Sequence, residues 1–223
     1  WGFKNYTYLK AGGHKFEYED TKTEMLTYEI SHEAKFYTSQ LKISFVSDFQ
    51  FIDQQIPLPL EEGLKREVFQ LNYEYKKDKQ WRFPILAKKV SISDGNHASQ
   101  IDLAALYGGV YPVWWWIGYS VAQLSYDERK SGYWSPEKFT SHGPRLEVSY
   151  PFTQWWQGII GYNYSFIKED DFEAGSSSYS NLGIEYGKRD DGLIQLLWVE
   201  IISEQASNEW SSKGYLLTFE KSL

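Results

Sequence analysis

The sequence predicts an all-β fold, an antiparallel up-and-down barrel of about twelve membrane-spanning strands, formed by residues 1–223 as a single domain. Three observations support this prediction. Apolar and polar residues alternate with a period of two along most of the chain, as in strands whose two faces differ. The connections between these segments are short at one end and mostly longer at the other. Aromatic residues make up 18% of the 223 residues, and amphipathic rings favour boundaries between water and lipid.

Composition excludes several classes of function. The formal net charge is -7, and no basic stripe is present, which argues against a nucleic-acid partner. The chain has no Cys, so neither a disulfide framework nor a Cys-based zinc site is available. It also lacks a run of about 18 uncharged apolar residues, which excludes a transmembrane helix but not strands, whose alternation lowers the average hydropathy.

Six segments show the alternation most clearly, and in each of them the apolar residues share one face. They are Phe69–Tyr75, Trp81–Ala87, Ile101–Tyr107, Leu146–Tyr150, Ile160–Phe166 and Leu182–Tyr186. The segments 113–126 and 192–205 are apolar on both faces, so the orientation of their side chains stays open at this point.

The N-terminal region 1–32 is compatible with two strands or with three. Its apolar residues after position 15 are all even-numbered, so one long strand can run through them, which favours two: Phe16, Tyr18, Leu26, Tyr28 and Ile30. Two strands give an even total and place both termini at the same end. A partner strand upstream of Trp1 would raise the total to fourteen.

The connections alternate in length along the chain. Short ones are expected at Ser31–Lys35, Lys76–Lys79, Tyr111–Pro112, Pro151–Gln154 and Lys188–Gly192. Mostly longer ones are expected at Ile52–Arg66, Ser93–His97, Asp127–Lys138, Lys168–Ser178 and Gln205–Ser211. Membrane barrels sort their connections in this way, with short periplasmic turns and long extracellular loops. The C-terminus is therefore expected on the periplasmic side.

Charged residues occupy the face opposite the apolar residues, several of them near the middle of a strand. In a membrane barrel the apolar face contacts lipid and the charges line the lumen, whereas in a soluble barrel the two faces are exchanged. The predicted lumen-lining residues are Lys42, Glu74, Arg82, Lys88, Asp102, Arg145, Glu147 and Glu185. Of these, Arg82, Arg145 and Glu147 are expected to matter most for what enters. The lumen could be an open path or a salt-bridged plug, because a barrel this small has little spare room.

Two Trp clusters follow short connections and are expected at the same end. They comprise Trp114, Trp115 and Trp116, and Trp155 and Trp156. Rings at one height on neighbouring hairpins are typical of the aromatic girdle at a membrane interface. A sugar-stacking platform or a soluble core are the alternatives.

The stretch Ser212–Phe219 reads polar, any, Gly, any, any, apolar, any, apolar. Leu217 and Phe219 share a face, and Gly214 allows close approach of a neighbouring backbone. This pattern resembles the last strand of bacterial outer-membrane β-barrels, where the barrel-assembly machinery recognises it. The resemblance implies a Gram-negative outer membrane, contact with its lipid and lipopolysaccharide, and an assembly signal at Gly214, Leu217 and Phe219.

The segment Gly132–Phe139, with the sequence Gly-Tyr-Trp-Ser-Pro-Glu-Lys-Phe, precedes a predicted strand. It resembles a signature in the C-terminal barrels of exopolysaccharide-secretion proteins, those of the cellulose-synthase type and their barrel-only relatives. The resemblance is strongest over roughly residues 106–223 and implies an exit barrel for a secreted polymer.

His97 and Ser99 supply an enzymatic alternative, because residues two apart on a strand share a face. The pair is similar to the His-x-Ser of outer-membrane phospholipases and lipid A deacylases, in which His activates the Ser hydroxyl with the help of a third group. A water-bonded His and Ser at a loop edge is the simpler interpretation.

The expected function is a passive channel or export-related pore for saccharides or small polar solutes, or a structural barrel in an assembly with other envelope proteins. A soluble Trp- and Tyr-rich carbohydrate-binding protein is a further alternative. No cofactor and no metal site are predicted, because Asp170-Asp171 and Asp190-Asp191 lack the acidic ladder with Gly that a calcium loop needs.

Overall fold

Twelve strands form where the sequence alternates between apolar and polar residues. The computed structural model of the chain describes residues 4–18, 21–49, 64–110, 113–130, 133–188, 192–205 and 208–220. Its strands are β1 Lys4–Tyr18, β2 Thr21–Lys35, β3 Ser39–Phe49, β4 Lys65–Lys76, β5 Trp81–Ile92, β6 His97–Gly109, β7 Trp114–Tyr126, β8 Phe139–Pro151, β9 Trp156–Glu169, β10 Gly175–Lys188, β11 Gly192–Gln205 and β12 Asn208–Glu220. No helix in these ranges is long and apolar enough to cross a membrane.

Each strand is hydrogen-bonded to the next one along the chain, in a single sheet of order β1 to β12. The ladders whose register we follow are antiparallel; for example, Tyr8 lies opposite Ser31 between β1 and β2, and Leu182 lies opposite Trp198 between β10 and β11. The predicted all-β, antiparallel up-and-down topology with twelve strands is thereby confirmed.

The N-terminal region contains two strands, as the parity of its apolar residues favours, but not one long strand through Phe16 and Ile30. β1 ends at Tyr18 and β2 begins at Thr21. The sequence between and after these ends is rich in Glu, Asp and Lys, which are poor strand formers. Ser31–Lys35, predicted as a connection, belongs to β2 because these residues pair with Gln40–Ser44 of β3.

The lengths of the connections differ less between the two ends than the sequence predicts. One end has the connections 36–38, 77–80, 110–113, 152–155 and 189–191, and the other has 19–20, 50–64, 93–96, 127–138, 170–174 and 206–207. β10 begins at Gly175 because Ser176–Ser178 continue the ladder with β9, and β12 begins at Asn208 because it pairs with Gln205. The long connections that remain are 50–64 and 127–138.

The two faces of each strand differ in exposure. In β6, Ile101 and Leu103 are 45% and 44% exposed, whereas Leu106, on the opposite face, is completely buried. We call the face that carries the eight predicted lumen residues the charged face, and the opposite one the apolar face. Large exposed hydrophobic side chains follow the apolar face from strand to strand, among them Phe69, Ile117, Ile160, Leu182 and Leu196.

The backbone divides into two compact units. The first comprises Trp1–Tyr75, Pro84–Leu103 and Ala122–Phe139, and the second Lys76–Phe83, Ala104–Val121 and Thr140–Leu223. Strands β5, β6 and β7 contribute residues to both units. The single domain over residues 1–223 stays a prediction.

The first unit has an apolar core on the charged face, near the longer connections. Its buried members are Leu64, Val68, Val90, Ile92, Ala98 and Tyr133, with Val46, Leu124 and Tyr126 packed against them. Beside this core, the guanidinium of Arg66 and the carboxylate of Asp48 form a buried ion pair. The charged face is thus polar in the middle of these strands and apolar at one end.

Candidate functional site

All eight predicted lumen-lining residues lie at half-buried positions. The second unit brings three of them into direct contact: Arg82 at the start of β5, and Arg145 and Glu147 in β8. The Glu147 carboxylate accepts hydrogen bonds from both guanidinium groups, at 2.7 Å from Arg145 Nη2 and 3.3 Å from Arg82 Nη1. Two cations therefore share one anion, and the formal charge of the trio is positive.

Trp116 fixes the position of Arg82. The guanidinium carbon lies 4.8 Å from the centre of the Trp116 ring, within the range of a cation–π contact. Trp116 is buried, so this contact is partly shielded from water, which strengthens it. Arg82 is thereby held between an aromatic face and the Glu147 carboxylate.

A cleft of about 550 Å³ opens beside this trio, within the second unit. Trp114, Trp116 and the trio line one part of it, and Asn163, Tyr179 and Asn181 line another. Asn181 Nδ2 donates to Tyr179 Oη at 3.3 Å, and Ser120 Oγ donates to Asn163 Oδ1 at the same distance. Asn181 Oδ1 is buried and has no hydrogen-bond partner among the described residues. The cleft thus combines cations, aromatic rings and neutral hydrogen-bonding groups.

Glu185 lies apart from the trio and is engaged by amides. Gln195 Nε2 donates to it at 2.6 Å, Gln157 Nε2 also donates to it, and Ser149 Oγ donates to Gln157 Oε1 at 3.2 Å. Two neutral donors on neighbouring strands hold this carboxylate in place. Asp102 is engaged in the same way by the Gln100 amide of its own strand, at 3.0 Å.

The first unit contains a further acidic cluster that sequence reasoning missed. Glu33 accepts hydrogen bonds from Tyr8 Oη at 3.1 Å and from Gln40 Nε2, and its carboxylate lies 3.5 Å from Lys35 Nζ. The predicted residue Lys42 pairs with Glu29 at 3.3 Å. Glu29 and Glu33 follow from the register of β2 with β3, which becomes readable once β2 extends to Lys35.

The Gly-Tyr-Trp-Ser-Pro segment packs into the core of the first unit. Tyr133 is 4% exposed, and its hydroxyl donates to Asp94 at 3.0 Å and accepts from Asn96 Nδ2 at 2.9 Å. Burial raises the pKa of Tyr133, and the Asp94 carboxylate adds to this rise. Ser135 and Pro136 are also buried, and Tyr126 N donates to the Pro136 carbonyl at 2.9 Å. Gly132 lies outside the described residues.

Asn96 joins this segment to the 93–96 connection. Its Nδ2 donates to the Glu128 carbonyl at 2.8 Å, and its Oδ1 accepts from His97 N at 3.0 Å and from Glu128 N at 3.1 Å. Nearby, the hydrogen bond from Lys130 to Glu128 raises the pKa of the Lys130 ammonium, although this group is exposed. Sequence reasoning missed Asn96, because a single Asn in a turn has a common local use.

The predicted aromatic girdle is split between the two faces. Trp115 lies on the apolar face with Tyr107 and Trp81, at ring distances of 6.1 and 5.2 Å, and Trp156 stacks with Tyr186 at 4.7 Å. Trp114 and Trp116 differ from the expectation, because consecutive strand residues alternate and both line the cleft. Trp155 precedes β9, where its amide is bonded to Thr153 Oγ1. A girdle at a membrane interface stays a prediction for Trp115, Trp155 and Trp156.

The C-terminal motif lies in β12. Leu217 is 70% exposed and opposite Leu196, Phe219 is opposite Ile194, and Thr218 is opposite Gln195. The ladder thus assigns positions 217 and 219 to the apolar face, as the alternation predicts. No heavy atom lies within 4 Å of the place where a Cβ would be added at Gly214. Recognition of this motif by an assembly machinery stays a prediction.

His97 and Ser99 are exposed residues on the apolar face at the start of β6. His97 Nδ1 lies 3.4 Å from Asp127 Oδ2, and both of these side chains are more than half exposed. In the part of the chain that the structure describes, no side-chain hydrogen bond joins His97 to Ser99. The His therefore has an acidic neighbour but not the contact with Ser that a nucleophilic pair requires.

Comparison with known proteins shows the fold. No protein-family model matches the sequence, and no curated protein is significantly similar to it. The structure is similar to a bacterial polysaccharide outer membrane secretin, with a TM-score of 0.71 and 12% identity over 96% of this chain and 73% of the other. A second match, the outer membrane channel DcaP of Acinetobacter baumannii, covers 97% of this chain and 69% of the other at 10% identity, but its TM-score of 0.39 is too low to indicate a shared fold. The first likeness shows that the chain has the fold of an outer-membrane β-barrel.

Proposed function

We propose that the chain is an outer-membrane channel of a Gram-negative bacterium that passes saccharides or other small polar solutes without chemical change. The observation that carries the proposal is the contrast between the faces of the second unit. Its apolar face exposes large rings and aliphatic side chains, whereas its charged face holds a cleft of about 550 Å³ with Arg82, Arg145 and Glu147. A strand with one apolar and one charged face suits lipid on one side and water on the other.

The fold supports a role connected with secretion. The likeness is to a polysaccharide secretin, and the Gly-Tyr-Trp-Ser-Pro segment independently resembles a signature of exopolysaccharide-secretion barrels. The proposed partners are outer-membrane lipid and lipopolysaccharide on the apolar face, the barrel-assembly machinery at β12, and other envelope proteins. A purely structural barrel in such an assembly is the alternative within the same fold.

Two measurements test the proposal. The purified chain is expected to be monodisperse only in detergent or lipid, because its exposed apolar face would otherwise associate. In a planar bilayer we expect stepwise currents that saccharides reduce when they occupy the channel. Monodispersity in plain buffer would contradict the membrane location, and a silent bilayer at both polarities would leave only the structural barrel.

A lipid hydrolase that uses His97 and Ser99 is the competing function. Asp127 favours it, because an acidic group 3.4 Å from the His ring is the usual orienting partner. The open, solvated position of all three residues and the lack of a His97–Ser99 bond in the described chain favour a channel. A phospholipid-release assay of wild-type protein against Ser99→Ala decides: activity that this substitution removes would establish the hydrolase.

A further inference from the structure

We infer that the cleft of the second unit binds a carboxylate-bearing saccharide, with Arg145 as its anion-recognising residue. This inference rests on the proposed function, since it names the class of solute that the channel takes. It begins from the charge balance of the trio. Glu147 neutralises only one of the two guanidinium groups that it contacts, so a second anion is needed to balance them.

Arg145 is the better placed of the two guanidinium groups to meet that second anion. Arg82 is committed to the Trp116 ring on one side and to Glu147 on the other. The side chain of Arg145 is 40% exposed, and it faces the same cleft. A guanidinium presents several N–H donors in a planar fork, which fits a carboxylate with two parallel hydrogen bonds.

The rest of the cleft is suited to a sugar ring rather than to a bare anion. Trp114 lines it with an exposed ring, and the flat face of Trp is a suitable surface for the C–H groups of a pyranose. Across the cleft, Tyr179, Asn163 and Asn181 present a hydroxyl and two amides. Asn181 Oδ1, which has no partner in the described chain, would accept a hydrogen bond from a sugar hydroxyl.

The volume is consistent with a short saccharide. Sites for small molecules occupy about 300–1,000 Å³, and the cleft lies within that range at about 550 Å³. Glu147 then has a second consequence: it competes with the carboxylate of the ligand for Arg145. Removing the charge of Glu147 should strengthen binding of an acidic sugar, whereas removing the charge of Arg145 should weaken it.

The test is titration calorimetry of the full chain in detergent with three probes: digalacturonate, the neutral disaccharide cellobiose, and acetate. Wild-type protein is expected to bind digalacturonate at least about tenfold more tightly than either other probe, since a bidentate charged pair supplies at least one decade of affinity. Arg145→Gln should abolish this preference, and Arg145→Lys should restore part of it. Glu147→Gln should bind digalacturonate more tightly than wild type, an effect that partial misfolding does not imitate.

Lys168→Gln is the matched control, because it removes a positive charge from an exposed side chain outside the cleft and should leave the preference unchanged. Equal affinity for digalacturonate and cellobiose, or a preference that survives Arg145→Gln, overturns the inference. Equal binding of acetate and digalacturonate reduces the site to a simple anion site and overturns it as well. Currents without this preference would sink the inference but keep the channel, and binding without currents would do the reverse.

Discussion

Arg66 and Asp48 lie directly opposite each other in the ladder between β3 and β4, and their side chains form a buried ion pair joined by two hydrogen bonds. The guanidinium of Arg66 is 8% exposed, and the carboxylate of Asp48 is 12% exposed. Because water reaches neither group freely, each depends on the other to satisfy its charge.

The first prediction follows from this pair. Arg66→Met leaves the Asp48 carboxylate buried without its cation, so the free energy of unfolding should fall by about 3–5 kcal/mol. The double variant Arg66→Met with Asp48→Leu should recover most of that loss, because neither charge remains. Urea unfolding in lipid vesicles, followed by Trp fluorescence, measures both. A double variant as unstable as the single one would show that packing, and not charge, sets the cost.

The second prediction concerns Asn96, which makes four hydrogen bonds from a side chain in a residue that is 1% exposed. Asn96→Ala leaves the Glu128 carbonyl and amide unsatisfied, at about 1–3 kcal/mol for each group that stays buried. We expect faster amide exchange and faster proteolysis in residues 127–138, with little change in β10–β12. Ser99→Ala, an exposed substitution two residues into the same strand, is the control. If the two variants exchange equally, Asn96 does not hold this segment.

The third prediction is a pH dependence carried by Tyr133, whose pKa is raised by burial. In the unfolded segment the hydroxyl ionises near its ordinary value of about 10, whereas in the folded segment it stays protonated to higher pH. The stabilisation is therefore complete below pH 10 and is lost as the pH rises above that value. Tyr133→Phe should remove this dependence from the proteolysis rate of residues 127–138. A dependence that persists in Tyr133→Phe would assign it to another group.

The fourth prediction separates the Trp residues by face. Brominated lipids quench only rings that contact them, so Trp115→Phe and Trp156→Phe should each reduce the quenchable fluorescence. Trp116→Phe should leave it unchanged, because that ring is buried against Arg82 on the charged face. Equal losses in all three variants would contradict the assignment of faces. The quenching depth measured for Trp115 and Trp156 also tests the predicted girdle.

Sequence alternation predicted the strand number and the faces of Arg82 and Glu147 well, because a period of two determines side-chain direction whatever the neighbours are. It predicted less about Trp114 and Trp116. The strand is apolar on both faces there, so hydrophobicity alone does not choose one. The same alternation still forbids three consecutive Trp from sharing a face, and that signal was available in the sequence.

The contacts that define the site depend on information that no local pattern contains. Arg82 belongs to β5 and Glu147 to β8, so their pairing depends on the packing of side chains between non-adjacent strands. Tyr133 lies in a connection, where periodicity is absent, so the motif could be recognised but its packing into the core could not be predicted. The start of β10 at Gly175 is a milder case, in which a Ser-rich stretch continues a ladder despite weak strand propensity.

The order of the sheet also affects how the chain folds. Every ladder joins strands that are consecutive in sequence, so each strand finds its partner across one connection. Loop closure over such short separations costs little entropy, and folding by successive hairpins should be fast for an all-β chain. The exceptions are the connections 50–64 and 127–138, where longer segments must close before β4 and β8 can pair. Shortening 50–64 should therefore raise the rate of folding, even if it changes the final stability little.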